Sequence, residues 1–124
     1  MQYRDKQAIL ECLKSIGFSE VEVHEKPENL FGFQGDVREQ QAHIIVRRKH
    51  IGGMSNDMGF RLNTDGTYDL VISQYDQGFL GNKINQFRCK YVERQITKKA
   101  RYLGFVTTGK TVKGGKVHLR LGRA

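Results

Sequence analysis

The sequence has one proline, no tryptophan and two cysteines among its 124 residues. Cys12 and Cys89 are too far apart for any zinc-ligand spacing, and Cys12 falls on a predicted apolar helix face, so we expect a free thiol in a reducing compartment. No apolar run approaches the roughly 20 residues that span a bilayer. The first residues, Met-Gln-Tyr-Arg-Asp, lack the apolar core of a signal peptide. We therefore expect a cytoplasmic protein with no membrane partner, metal or cofactor.

Acidic residues are scarce in the C-terminal part of the chain. Residues 1–75 contain 9 Lys and Arg against 11 Asp and Glu, whereas residues 76–124 contain 12 against 2. A basic section on a mildly acidic body indicates an anionic partner, most often nucleic acid or a nucleoprotein. The alternative is a solvated surface that only keeps the protein soluble.

The first half of the chain predicts one helix and several short strands. Apolar residues recur at helical spacing over residues 5–16, with Asp5 as N-cap and Gly17 as the residue that ends the helix. Residues 21–24 and 30–35 predict two short strands separated by a break at Pro27. Residues 37–41 are predicted to be a linker or a helical turn, and residues 42–48 a strand.

Two hairpins and a long helix are predicted in the rest of the chain. Residues 58–63 and 67–74 flank Asp65-Gly66, a dipeptide typical of a tight turn. Residues 82–103 predict the long helix, ended by Gly104, and residues 105–112 and 116–121 pair around Gly114-Gly115. We predict one α+β domain over residues 1–124: a mainly antiparallel sheet of about six short strands, with a short N-terminal helix and one long helix packed on one face.

The long helix is predicted to expose a basic face. Four of its cations fall within about 40° of one another around the helix axis, a fifth lies beside them, and Glu93 is the nearest acid. The last hairpin extends this positive charge. The predicted nucleic-acid-binding residues are Lys83, Lys90, Arg94, Lys98, Arg101, Lys110, Lys113, Lys116 and Arg120.

A polar loop follows the strand at residues 42–48 and is the second candidate site. Its residues are Arg47, Arg48, Lys49, His50, Gly52, Ser55, Asn56 and Asp57. Paired glycines beside three cations are typical of a backbone nest that binds phosphate. The alternative is a structural connection in which Asn56 and Asp57 bind loop amides and the arginines pair with Asp36 or Glu39.

Several blocks together resemble a known family. They are Leu-Phe-Gly-Phe-Gln-Gly-Asp at 30–36, Arg-Arg-Lys-His at 47–50, Ser-Asn-Asp-Met-Gly-Phe at 55–60, Asp-Gly-Thr-Tyr at 65–68 and Ser-Gln-Tyr-Asp at 73–76. They are similar to hypothetical chloroplast reading-frame family thirty-five, a domain-of-unknown-function group of plastids, cyanobacteria, other bacteria and phages. The resemblance implies a cytosolic or stromal setting and supplies no catalytic residues. The basic C-terminal section departs from the family pattern and suggests a partner of its own.

Other sequence patterns give weaker evidence of function. Residues 104–111 match the letters of a phosphate-binding P-loop, but a helix precedes them and a strand is predicted to follow, so we interpret the match as coincidence. The four histidines show no metal-ligand spacing, and no catalytic triad is recognisable, so no catalytic residue is predicted. The aromatic residues Tyr68, Tyr75, Phe31, Phe33 and Phe60 suit base stacking or, more simply, a core.

These observations predict a non-enzymatic accessory protein that docks on nucleic acid or a nucleoprotein through its basic C-terminal surface. The competing hypothesis is a protein-interaction module, such as an adaptor, assembly factor or phage inhibitor. Its basic face would then bind an acidic protein surface.

Overall fold

The computed structural model describes the backbone of residues 2–113 and 116–123, and the side chains of residues 2–104, 109–110 and 118–122. The predicted α+β class is confirmed. We predicted one domain. The chain divides into two compact units, Met1–Gly81 and Asn82–Ala124.

The N-terminal helix α1 (Lys6–Ser15) forms as predicted. The Asp5 side chain accepts a hydrogen bond of 3.1 Å from the Ala8 amide, which caps an otherwise unpaired N–H of the first turn. At the other end Gly17 has φ 106°, and the amide of Phe18 donates to the Leu13 carbonyl at 2.9 Å. This is a Schellman ending, which needs a residue that tolerates the left-handed conformation. The helix buries one face, formed by Ala8, Ile9, Cys12 and Leu13.

The next two strands are longer than predicted. β1 (Glu22–Phe31) is continuous through Pro27, and β2 (Val37–Val46) includes the predicted linker. The predictions of two short strands and of a separate segment at residues 37–41 were therefore wrong. Proline is tolerated because β1 is an edge strand and its register with β2 shifts between Val23 and Glu28, so Pro27 interrupts no regular ladder.

The predicted hairpin at Asp65-Gly66 is confirmed. β3 (Met58–Leu62) pairs antiparallel with β4 (Tyr68–Val71). The Asp65 carboxylate accepts hydrogen bonds from the amide and hydroxyl of Thr67, at 3.0 and 2.6 Å, and Gly66 has φ 86°. β4 ends at Val71, earlier than predicted, because Ser73 caps a short helix, α2 (Gln74–Phe79), which was not predicted.

These four strands form one antiparallel sheet in the order β1-β2-β3-β4. Tyr3 extends the β4 edge through a backbone bridge to Tyr68, and its ring meets that of Phe60 edge-on at 5.4 Å. The end of β2 is buried on both faces, since Ile44, Ile45 and Val46 are all inaccessible. The loop that follows β2 therefore starts from a buried strand end.

The second unit contains nearly all of α3 (Gly81–Tyr102), which ends as predicted at Gly104 with φ 83°. β5 (Phe105–Lys113) and β6 (Lys116–Arg123) then pair antiparallel with each other. The six strands thus form a four-stranded and a two-stranded sheet, so the prediction of one sheet was wrong. Strand alternation in a sequence indicates that a strand forms, and does not specify which strands it joins. The turn predicted at Gly114-Gly115 lies outside the described residues.

No helix within the described residues is long and apolar enough to cross a membrane.

Gly59 allows β2 and β3 to approach closely, and this makes a first prediction. A Cβ atom there would collide with the Ile44 carbonyl oxygen and lie 2.7 Å from the Ala42 Cβ. We expect Gly59→Ala to lower the free energy of unfolding by about 1–3 kcal/mol, as overpacking does. Urea denaturation measures this.

Gly78→Ala is the matched control, because Gly78 lies in α2 with nothing within 4 Å of an added Cβ. Alanine favours helix there, so stability should stay the same or rise. Equal effects of the two substitutions would contradict the steric explanation.

Candidate functional site

The polar loop is organised around the buried carboxylate of Asp57, which is 1% exposed. One of its oxygens accepts hydrogen bonds from the Phe31 amide and from Arg47 Nη1, both at 2.8 Å. The other accepts from the Arg48 amide at 2.6 Å. Because both oxygens are satisfied, burial of the charge is compensated. The carboxylate joins the end of β1, the end of β2 and the start of β3.

Arg47 is fully engaged inside the protein. Its Nε and Nη2 donate to the two carboxylate oxygens of Glu22, each at 2.8 Å, while Nη1 donates to Asp57. The guanidinium also lies 5.3 Å from the centre of the Phe31 ring. The Arg47 guanidinium lowers the pKa of Glu22 from 4.5 to about 2. In return, hydrogen bonding to Glu22 raises the pKa of Arg47.

Arg48 is held differently, by main-chain carbonyl groups alone. Its Nε donates to the Ser55 carbonyl at 3.2 Å, and its Nη2 donates to the carbonyls of Phe33 and Gly53 at 2.7 and 2.9 Å. Within the described part of the chain its Nη1 has no hydrogen-bond partner, and no carboxylate neutralises its charge. Lys49, the next residue, is exposed. Arg48 therefore has a fixed orientation and a free edge.

Asn56 connects the loop to α2. Its amide N–H donates to Asp76 Oδ2 at 3.0 Å, its side-chain nitrogen donates to Ser73 Oγ at 3.0 Å, and its side-chain oxygen accepts from the Phe33 amide at 3.0 Å. Ser73 Oγ also accepts from the Asp76 amide, which caps α2. Asp76 is fully buried, and its Oδ1 is the one buried side-chain N or O atom of the described residues that has no hydrogen-bond partner.

These contacts gather three segments at one end of the four-stranded sheet: the β1–β2 turn, the β2–β3 loop and α2. They leave large apolar side chains on the surface, namely Phe33, Met54, Tyr75 and Phe79. The rings of Tyr75 and Phe79 stack at 6.1 Å, and a Cβ on Gly52 would lie 3.5 Å from the Phe79 ring. The loop thus supports a surface that contains both a cation and aromatic rings.

Three of the predicted loop residues point inward, namely Arg47, Asn56 and Asp57. This favours the structural interpretation for them. The predicted pairing of the arginines with Asp36 or Glu39 was wrong. The partners of Arg47 and Asn56 include Glu22 and Asp76, which the sequence analysis did not select. Ser73 and Asp76 have the spacing of a helix cap, and this signal was available in the sequence. His50 contacts Glu20 at 3.2 Å, and Ser55 is buried.

The predicted basic face lies on α3 in the second unit. Lys83, Arg94, Lys98 and Arg101 are exposed and Lys90 is half-buried. Lys110 is ion-paired with Glu93, and Arg120 is exposed. The side chains of Lys113 and Lys116 lie outside the described residues. The binding role of all these residues stays a prediction.

The boundary between the units is also a boundary of charge. Met1–Gly81 contains nine Lys and Arg against twelve Asp and Glu, whereas Asn82–Ala124 contains twelve against one. Their formal net charges are therefore −3 and +11. The second unit is far more basic than colloidal solubility requires of a small domain.

The other sequence candidates, the histidines and the P-loop letters, do not form a site among the described residues. The His24 ring contacts Glu22 at 2.8 Å, and His43 Nδ1 accepts from the Leu62 amide at 3.0 Å. Burial lowers the pKa of His43, which suits this acceptor role. Among the described residues no three His, Cys, Asp or Glu side chains are grouped to hold a metal ion. The P-loop letters run from the end of α3 into β5, so a strand stands where a helix is needed.

Of the five candidate stacking aromatics, Phe60 and Tyr68 are buried in the core. Phe31, Phe33 and Tyr75 are partly exposed.

The fold and the site define an α+β protein with two features. One is a polar hydrogen-bond network around Asp57 at one end of a four-stranded sheet, and the other is a strongly basic helix–hairpin unit. The family model described as "Protein of unknown function (DUF1257)" matches residues 12–119, and the chain belongs to that family. No curated protein and no solved structure matches the chain.

The buried carboxylate gives a second prediction. We expect Asp57→Asn to lower the free energy of unfolding by about 3–5 kcal/mol, because a neutral amide cannot accept all the hydrogen bonds that the carboxylate accepts from Arg47 Nη1 and the Phe31 and Arg48 amides. Chemical denaturation followed by circular dichroism measures this loss. Glu39→Gln removes an exposed carboxylate in β2 and should change stability by less than about 0.5 kcal/mol. A loss below about 1 kcal/mol for Asp57→Asn would show that the Asp57 charge does not stabilise the hydrogen-bond network around it.

The lowered pKa of Glu22 gives a third prediction. Because the folded pKa is below the unfolded value, the stability that Glu22 contributes is present above about pH 4.5 and is lost as the pH falls towards about 2. The wild type should therefore lose more stability than Glu22→Gln between pH 5 and pH 2.5. Urea denaturation across this range compares them, and parallel curves would refute the assignment.

Proposed function

We propose that this chain is a non-enzymatic accessory protein that docks on nucleic acid or a nucleoprotein through its second unit. The observation that carries the proposal is the charge boundary, with +11 confined to Asn82–Ala124 and −3 on Met1–Gly81. A positive field concentrated on one unit attracts a polyanion and orients it towards that unit.

The placement of the cations supports this function. Four of the five predicted helix cations are exposed, and Arg88, Lys99 and Arg120 are exposed elsewhere in the same unit. Glu93 is the only acid in this unit and is already paired with Lys110. Lysine and arginine spread over a helix and a hairpin suit contacts with phosphates, which position a protein without reading sequence. Binding should therefore be weakly specific and strongly dependent on salt.

We infer the cellular setting from the motifs at residues 30–36, 47–50, 55–60, 65–68 and 73–76, which resemble hypothetical chloroplast reading-frame family thirty-five. We place the chain in that plastid, cyanobacterial and phage group, with action in the cytoplasm or the plastid stroma. A ribonucleoprotein or a DNA-associated assembly of that compartment is the class of partner that fits the charge.

The salt dependence of binding gives a fourth prediction. Fluorescence anisotropy with a labelled 20-nucleotide RNA and a 20-base-pair DNA, from 50 to 300 mM KCl, should show affinity that falls steeply with salt. The variant Arg94→Glu/Lys98→Glu/Arg101→Glu should reduce the slope of log affinity against log salt by about 2, because each lost phosphate contact removes about 0.7–0.9.

The matched control is Lys14→Glu/Lys26→Glu/Arg61→Glu, which changes three exposed cations of the first unit and alters net charge equally. Its slope should stay near the wild-type value. No binding at 50 mM KCl, an affinity indifferent to salt, or equal losses in the two variants would overturn the proposal. Tighter binding to poly-glutamate than to either nucleic acid would favour an acidic protein partner instead.

A further inference from the structure

Arg48 is the one loop cation that the structure both fixes and leaves free to bind. Three main-chain carbonyls hold its Nε and Nη2, so the plane of the guanidinium is set before any ligand arrives. Its Nη1 remains without a partner in the described part of the chain. Fixing the donor in advance lowers the entropy lost on binding. The Arg47 guanidinium, by contrast, already donates to the carboxylates of Glu22 and Asp57.

Large apolar side chains belong to the segments that hold this guanidinium. Phe33 supplies one of its carbonyl ligands and exposes its ring, while Gly53 supplies another and is followed by Met54, which is 64% exposed. Phe79, 59% exposed and stacked on Tyr75, lies beside Gly52. Tyrosine, phenylalanine, methionine and arginine are the residues enriched in protein interfaces.

We propose that Arg48, with Phe33, Met54, Tyr75 and Phe79, is a docking site for a protein segment in which an acidic residue adjoins a bulky apolar one. The acidic carboxylate accepts from Arg48 Nη1, and the apolar side chain packs on Met54 and the Phe79 ring. Lys49, exposed and next in sequence, adds positive charge at the edge of the site. We call the five residues Arg48, Phe33, Met54, Tyr75 and Phe79 the Arg48 site.

Charge decides between a peptide and a nucleic acid. The Arg48 site belongs to the unit with net charge −3, which repels a chain of closely spaced phosphates. A segment with one carboxylate beside an apolar residue makes a single charged contact and buries apolar area, and both match what this surface offers. The proposal is independent of nucleic-acid docking, since it uses a different unit and different residues.

Nuclear magnetic resonance with isotope-labelled protein tests the proposal. The probes are four peptides, acetyl-Gly-Ser-X-Z-Gly-Gly-amide, in which X is Asp or Glu and Z is Phe or Leu. At least one should shift the Arg48 Nε–H, Gly53 amide and Met54 methyl signals in a saturable way. Its counterpart with Asn or Gln at X should bind about tenfold more weakly, as expected for the loss of a charged hydrogen bond.

Variants of exposed residues keep the fold intact and identify the surface. Phe79→Ala and Met54→Ala should each weaken the best peptide at least threefold. Tyr102→Ala, which removes a 90% exposed ring in the second unit, should leave binding unchanged. Three results would overturn the proposal: no peptide shifts the three reporter signals, the acidic and amide peptides bind equally, or the 20-nucleotide RNA shifts the same signals with higher affinity.

Discussion

The first unit depends on one buried charge, the carboxylate of Asp57. It accepts from Arg47, from the Arg48 amide and from the Phe31 amide, so a single side chain fixes where three strands begin or end. An uncompensated buried carboxylate would be costly, and each of these donors is needed to avoid that cost. Because Asp57 positions Arg48 through its amide, the orientation of the free guanidinium edge also follows from it. The structural role and the candidate binding role of the loop are thus two results of one arrangement.

The two units differ in how they carry charge. In the first unit, Arg47 forms a closed set of charges with Glu22 and Asp57. In the second unit, positive charges far outnumber the single acid, so most cannot be neutralised within it. Paired charges stabilise local structure, while a large excess of charge of one sign favours association with an opposite charge.

Local signals in the sequence were sufficient for much of the fold. The cap at Asp5, the ending at Gly17 and the hairpin at Asp65-Gly66 depend on residues close in the chain, and all three form as predicted. Pro27 was misleading, because its effect depends on whether its strand lies at a sheet edge, which is a property of the whole sheet.

The candidate site was predicted only in part. The loop residues were selected correctly as a polar cluster, but Glu22 lies 25 positions from Arg47 and Asp76 lies 20 positions from Asn56. Pairs this distant in sequence are set by strand register and by the path of the chain, so nearer acids such as Asp36 appeared equally suitable. Ser73 and Asp76 did carry a readable local signal, the spacing of a helix cap.

The short length of α2 has a consequence for motion. α2 is six residues long, so few backbone hydrogen bonds resist its detachment. We expect α2 to open as an independent local unit, below the free energy of global unfolding. The stacked pair Tyr75 and Phe79 would move with it, so the aromatic surface would be present in one substate and dispersed in another.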